Sequence, residues 1–334
     1  MSKKEKLYPN TVNGIYRYEY VMINGIEQFV QVRGRDKSNP LMLVLHGGPG
    51  GSLAGVCHLM QSLWEETFTV VNWDQRNAGK TYLANQDKAE EIAKTGSMAD
   101  YMQDIDEIIK YLHTIYDFEK LVLLGFSWGS VIGAEYVKLH PENILKYVAV
   151  GQVVNFEEGI HTTCNDIKNA AEQKNKQEDM AEIDGLLDKL SAEFELMKKL
   201  EMPKEYMRDI QRMSMLGAKY LIKHGKSLPI FGILISPFMN FNEKKMLFSA
   251  DMRLFAGTYK TILEYSFRDN MHFQVPVIFV NGDEDISCPA KLIEMCYDAI
   301  QAPNKELIIM KDTSHMCFFD QPEAFHNILV EKIL

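Results

Sequence analysis

Two kinds of hydrophobic pattern alternate along the chain, and the alternation predicts its elements. Short apolar runs fall at residues 41–45, 121–124 and 147–150, and a similar run, with Thr69 and Asn72 in it, at 68–73. Each is too short for a typical helix and fits a strand buried on both faces. Between residues 98 and 116, by contrast, Met102, Ile105, Ile108, Ile109 and Leu112 recur at helical spacing, which predicts a helix with one apolar face. Residues 53–66 and 128–139 are expected to be helical as well, the second stopped near His140-Pro141. Ahead of these, residues 15–33 read as two strands joined at Asn24-Gly25, a pair in which both residues tolerate positive φ. Strands alternating with helices imply a mostly parallel sheet covered on both faces.

From about 155 to 268 the pattern changes. The sequence becomes helical, charged and rich in methionine, with no buried-strand run of similar clarity. The sheet pattern then resumes with a strand at 275–280, a helix at 290–300, a strand at 306–310 and a closing helix at 322–333. The expected organisation is therefore one α/β core, residues 1–154 and 269–334, interrupted by an inserted helical cap, residues 155–268. The cap acids, among them Glu157, Glu158, Glu172, Glu193, Glu195, Glu201 and Glu205, read mainly as a solvated face, with Glu195 spaced to pair with Lys199. Met213, Met215, Phe231, Phe238, Met239 and Phe241 read mainly as packing within the cap. The apolar stretch 228–241, broken by Pro229, Gly232 and Pro237, is a candidate for lining a site or gating it.

Composition narrows the function. The 334 residues are 46% hydrophobic and 25% charged, an ordinary globular balance, with a formal net charge of −10. That charge argues against a nucleic-acid surface, which needs a basic stripe, and against docking on anionic lipid. No run approaches the roughly 18 apolar residues that span a bilayer, and the basic start MSKKEKLYPN is not followed by an apolar segment. Cys57, Cys164, Cys288, Cys296 and Cys317 are scattered and lack a C-x-x-C pair, so neither a disulfide framework nor a metal site is expected. The expectation is a reduced, cytoplasmic protein that needs no cofactor.

The chemistry centres on Gly125-Phe126-Ser127-Trp128-Gly129, which lies between a predicted strand and a predicted helix. A serine on such a sharp turn presents its hydroxyl, and the helix behind it favours negative charge. A serine is a weak nucleophile unless a base takes its proton. Two later strand ends supply the partners in order: Asn281-Gly282-Asp283-Glu284-Asp285 offers a carboxylate and Ser314-His315 a base. Asp285 is the favoured acid, with Asp283 and Glu284 as local alternatives. The loop His46-Gly47-Gly48-Pro49-Gly50 follows the first buried strand. It is expected to give one oxyanion-hole N–H, from Gly48 or else Gly47, beside that of Trp128. His46 reads as a structural histidine within that loop.

Together, His46-Gly-Gly-Pro-Gly50, Trp73-Asp-Gln-Arg76, Gly125-Phe-Ser-Trp-Gly-Ser130, Gly282-x-x-Asp285 with Cys288-Pro289, and Ser314-His315 resemble the prolyl aminopeptidase (proline iminopeptidase) family of α/β-hydrolases. The resemblance covers about residues 15–151 and 270–334. It implies an α/β-hydrolase fold with Ser127 as nucleophile, Asp285 as acid, His315 as base, and the Gly47-Gly48 turn with Trp128 as oxyanion hole. It leaves Asp74-Gln75-Arg76 as a structural or substrate-lining element. Two departures stand out. Asn77 occupies a position where the family usually has glycine, and the cap lacks the family's paired tryptophans, since Trp64, Trp73 and Trp128 all lie in the core. The implied function is a serine hydrolase acting through an acyl-enzyme, with an N-terminal residue of a short peptide or aminoacyl amide as the leading substrate. A carboxylesterase or small-molecule amidase is the alternative within that chemistry, and a non-catalytic small-molecule binding protein is the alternative outside it.

Overall fold

The computed structural model describes residues 11–226, 233–248 and 251–334. Its frame is an eight-stranded sheet: β1 (Ile15–Ile23), β2 (Ile26–Gly34), β3 (Leu41–Leu45), β4 (Thr69–Asp74), β5 (Leu121–Phe126), β6 (Ile144–Val150), β7 (Val277–Gly282) and β8 (Lys305–Met310). The spatial order is β1-β2-β4-β3-β5-β6-β7-β8. The first two strands form the expected hairpin, with Ile23 opposite Ile26 and both Asn24 and Gly25 at positive φ. β2 meets β4 antiparallel, and every later pairing is parallel.

The principal helices are α1 (Gly79–Ala84), α2 (Met98–Ile115), α3 (Trp128–Leu139), α4 (Phe156–Gln173), α5 (Gln177–Met197), α6 (Tyr206–Tyr220), α7 (Phe241–Phe248), α8 (Ala256–Glu264), α9 (Ala290–Tyr297) and α10 (Pro322–Ile333). α2 starts at a capping box, Ser97 with Asp100, which satisfies N–H groups that a helix start leaves open. Among the described residues, the chain between β6 and β7 forms helices and turns but no named strand.

Both sheet faces are buried, which is why the central strands read as unbroken apolar runs. Alternate side chains serve opposite layers. Leu43, Leu45, Leu121 and Leu123 join the layer of Tyr101, Trp128 and Tyr136, whereas Met42, Val44, Val122 and Leu124 join that of Trp64, Phe318 and Phe325. Parallel pairing gathers the ends of β3, β4, β5, β6, β7 and β8 along one edge, where open sheets of this kind place their sites.

One expected element is replaced. Residues 53–66 do not form a continuous helix but a chain of turns, a single 3-10 turn at Cys57–Leu59 and a short helix at Trp64–Thr67. Bonds from Val56 N–H to Leu53, Leu59 N–H to Val56 and Met60 N–H to Cys57 span three residues rather than four. Gly55 explains the break. Its carbonyl accepts from the Ser236 hydroxyl at 2.6 Å, and its bare Cα lies against Met239. A glycine already disfavours helix, and here its acceptor is engaged by another segment.

Candidate active site

β5 passes through Ser127 directly into α3. Ser127 sits at φ 53° and ψ −119°, a conformation side chains rarely adopt. Its N–H donates to Val150 O at 2.9 Å, and its carbonyl accepts from Ser130 N–H at 2.8 Å and Ser130 Oγ at 2.6 Å. Ser130 Oγ in turn accepts from Val153 N–H at 3.0 Å, so this hydroxyl ties the elbow to the chain leaving β6. The flanking glycines are required by contact. A Cβ on Gly125 would come within 2.5 Å of Gly129 O, and one on Gly129 would fall on the Leu45 carbonyl oxygen. Strand, helix and the end of β3 close on the turn because neither position carries a side chain.

The glycine-rich loop lies against this elbow. A Cβ on Gly47 would stand 2.9 Å from Ser127 Cβ, and Gly48 has φ +116°. His46 holds the loop from beneath: Nδ1–H donates to Gly47 O at 2.9 Å and Nε2 accepts from Gln75 N–H at 3.1 Å. Burial pushes the imidazole down to about 4, against the pull of the Gly47 carbonyl, so the ring is neutral with one donor and one acceptor nitrogen. Gln75 links both sides of the elbow. Its amide donates to His46 O at 3.0 Å, and its Oε1 accepts from Trp128 Nε1–H at 3.0 Å.

The neighbouring residues complete the brace. Asp74 accepts from Ser52 Oγ at 2.5 Å and from Lys80 N–H at 2.8 Å, and burial pushes its carboxyl up to about 6. Arg76 forms a buried two-pronged pair with Asp104 at 2.5 and 2.8 Å. Asn77 takes φ 55°, the left-handed region that asparagine tolerates better than most residues, and its amide donates to Ala89 O and Leu254 O. The departure from glycine there therefore keeps the turn and adds a link to residue 254.

Of the three acids after β7, Asp285 is the one whose carboxylate meets His315, with Oδ2 2.8 Å from Nδ1. Its Oδ1 accepts from the N–H groups of Ser287 and Cys288, both at 2.8 Å, so the carboxylate is fully buried yet satisfied. Asp283 faces Thr313 N–H and Lys311 instead, and Glu284 turns to residues 223–225. The His315 ring lies 4.8 Å from that of Phe126, the residue before Ser127, and is partly open to solvent. Gly151 leaves room for it: a Cβ there would meet His315 Cε1 at 3.1 Å.

Cys288 Sγ lies within 4.8 Å of the ligand atoms of Asp285 and His315, beside the Ser127 side chain. Burial, then the charge of Asp285, raises its thiol far above the ordinary range, which keeps it protonated. Asp285, Cys288 and His315 offer donors of the kind that hold a metal, as do His224, Glu284 and Asp312 on the surface. In the first set, His315 Nδ1 and the Cys288 backbone N–H already bond the Asp285 carboxylate.

In the helical segment most acids lie in surface pairs. Glu157 meets Lys198, Glu158 meets Arg268 and Glu205 meets Arg208. Glu195 pairs with Lys198 rather than Lys199, one position earlier on the helix. Glu193 differs: it is buried, one carboxylate oxygen lacks a partner, and burial followed by the charge of Asp209 pushes it up to about 6. Met213 and Phe238 are buried, Met215 and Phe241 are exposed, and Phe231 lies outside the described residues, as do 228–232 of the apolar stretch. Phe238 packs on Arg33, Tyr16 and His58. The sequence marks Gln75, with Asp74 and Arg76, as structural or substrate-lining and Ser130 only as the end of a motif, and it does not single out Asp320. The Asp-Gln-Arg motif was a signal for Gln75, whereas Asp320 carried none.

Comparison with known proteins agrees with this architecture. Residues 40–199 match the family described as alpha/beta hydrolase fold. A probable aminopeptidase, YbaC, from Bacillus subtilis (strain 168) is 25% identical over 317 residues, covering 92% of this chain and 93% of that protein. The crystal structure of proline iminopeptidase from Mycobacterium smegmatis superposes with a TM-score of 0.63 at 17% identity, over 96% of this chain and 97% of the other. An esterase from Exiguobacterium antarcticum gives 0.57 at 17% identity, over 95% and 99%. Among the described residues, no helix is long and apolar enough to cross a membrane. Sheet order, site position and these similarities together give the chain the α/β-hydrolase fold and the character of a hydrolase enzyme, similar to proline iminopeptidases.

Proposed function

We propose that the protein is a serine hydrolase with Ser127 as nucleophile, His315 as base and Asp285 as the carboxylate that orients it. The observation that carries the reading is the 2.8 Å bond between His315 Nδ1 and Asp285 Oδ2 beside a serine held at φ 53°. With Nδ1–H turned to Asp285, Nε2 is the nitrogen left to take the Ser127 proton. The hydroxyl oxygen attacks a substrate carbonyl, and the backbone N–H of Trp128 with that of Gly48, or of Gly47, receives the oxyanion. His315 returns the proton to the leaving group, water enters, and the acyl-enzyme is released. Residues 155–268 act as a cap over the site.

The leading substrate is a short peptide or aminoacyl amide with a free N-terminus. The printed name of the YbaC relative and the motif set support it. An esterase or small amidase is the second reading, favoured by the absence of tryptophan from the cap and by the esterase fold neighbour. Hydrolysis of prolyl and alanyl arylamides, their N-acetylated forms and short-chain aryl esters separates the two. Arylamide turnover that disappears on N-acetylation supports an aminopeptidase, while turnover of esters alone sinks it. In either case Ser127→Ala is expected to lower kcat by several orders of magnitude, about 10⁴-fold or more, and a variant with near-normal turnover ends the serine mechanism. The reduced, buried cysteines are compatible with a cytoplasmic location.

A further inference from the structure

Residues 223–226, which follow α6, run across the outside of the two loops that bear Asp285 and His315. Their fastenings are numerous. Glu284 Oε2 accepts from the N–H groups of Lys223 and His224 at 2.8 Å and of Gly225 at 3.1 Å. Burial works against the charged form of Glu284, but these donors outweigh it and bring the carboxyl down to about 2. His224 Nδ1 sits between Glu284 Oε1 at 2.9 Å and Asp312 Oδ1 at 3.1 Å, and so touches both loops. Gly225 packs directly on Ser314, with no room for a Cβ.

The base side is held by Asp320, which is buried. Its Oδ2 accepts from Ser314 N–H at 2.6 Å and Ser314 Oγ at 2.8 Å, while Oδ1 accepts from Lys226 N–H at 2.7 Å. Its carbonyl also accepts from Lys226 Nζ at 2.7 Å. One carboxylate therefore holds the residue before His315 and the end of the strap together. Glu284, the residue before Asp285, does the same for the beginning of the strap.

We propose that Glu284 and Asp320 are positioning residues: through the strap 223–226 they set the acid loop and the base loop at the separation that the His315–Asp285 bond requires. The proposal rests on the reading of Ser127, His315 and Asp285 given above. Neither carboxylate touches the reacting atoms. Their effect passes through backbone on either side of the pair, and small displacements of a catalytic base are costly in rate.

The variants differ in what they remove. Glu284→Ala leaves three backbone donors without an acceptor, whereas Glu284→Gln still offers one amide oxygen to them. Asp320→Asn has a single oxygen and cannot serve Ser314 and Lys226 at once. Glu284→Ala and Asp320→Asn are expected to lower kcat about tenfold or more with KM changed less than about threefold, to slow fluorophosphonate labelling in parallel, and to shift the downfield proton resonance of the His315–Asp285 hydrogen bond. Glu284→Gln should recover most of the loss. Variants with lower melting temperature but unchanged kcat and resonance would show a merely structural strap and overturn the proposal. If Glu284→Ala does not fold, Asp320→Asn decides alone. Wild-type protein that fails to label, while Asp320→Asn still shifts the resonance, would fault the nucleophile and leave the strap intact.

Discussion

Beneath the glycine-rich loop, His46 and Asp74 respond to pH in opposite senses. Burial lowers His46 from 6.5 to about 4 and raises Asp74 from 3.8 to about 6. Between pH 4 and 6.5 the unfolded chain holds a proton on His46 that the folded chain does not, so the His46 contribution is complete above 6.5 and is lost as pH falls toward 4. Asp74 reverses this. The folded chain keeps its proton between 3.8 and 6, so its contribution is lost as pH rises through that window. Each effect is on the order of 3 kcal/mol, and they oppose one another over the shared range. Asp74→Asn leaves His46 acting alone, and the melting temperature of this variant should climb more steeply from pH 4 to 6 than that of wild type. An equal or shallower slope would contradict the opposition. At this scale the sequence was legible where chemistry depends on order: Ser127, Asp285 and His315 follow strand ends in sequence. Gln75 and Ser130 lie in quoted motifs, but their bonds to His46, Trp128 and Val153 reach across the fold, and Asp320, which holds Ser314 and Lys226, has no local mark at all.

Elements were legible where burial alone decides them, as in β3, β5 and β7. Residues 53–66 failed that test because the carbonyl of Gly55 is taken by Ser236, a partner far along the chain. The same neighbourhood includes α7, whose start is fixed by reciprocal bonds between Asn240 and Glu243. Glu243 is then bound by Lys80 of α1, whose ammonium also donates to Phe238 O at 2.8 Å. The pair is largely buried, and removing one member of such a pair costs about 3–5 kcal/mol because the other charge is left without a partner. Lys80→Met should therefore loosen α7 locally. Hydrogen exchange followed by mass spectrometry is expected to show faster exchange across residues 236–245, with β5 and α3 unchanged. Uniform protection in the variant would mean that the pair contributes little to holding α7.

For the whole molecule, the two layers on the sheet are closed differently. The layer of Trp64, Phe318 and Phe325 depends on the last helix, which buries Phe325, Leu329 and Ile333. Burial of three such side chains amounts to roughly 5–9 kcal/mol, similar to the entire net stability of a typical domain, about 5–15 kcal/mol. A chain ending at Gln321 should thus lose its cooperative thermal transition by circular dichroism, and a truncated chain melting like wild type would refute this. The interposed helices have a further consequence, for the order of synthesis. A ribosome delivers Ser127 early, then the whole stretch from α4 to α8, and only afterwards the strands that lead to Asp285 and His315. A nascent chain thus carries its proposed nucleophile without its proposed base until β7 and β8 have been made. The proposed triad can therefore assemble only after β8 has paired with β7.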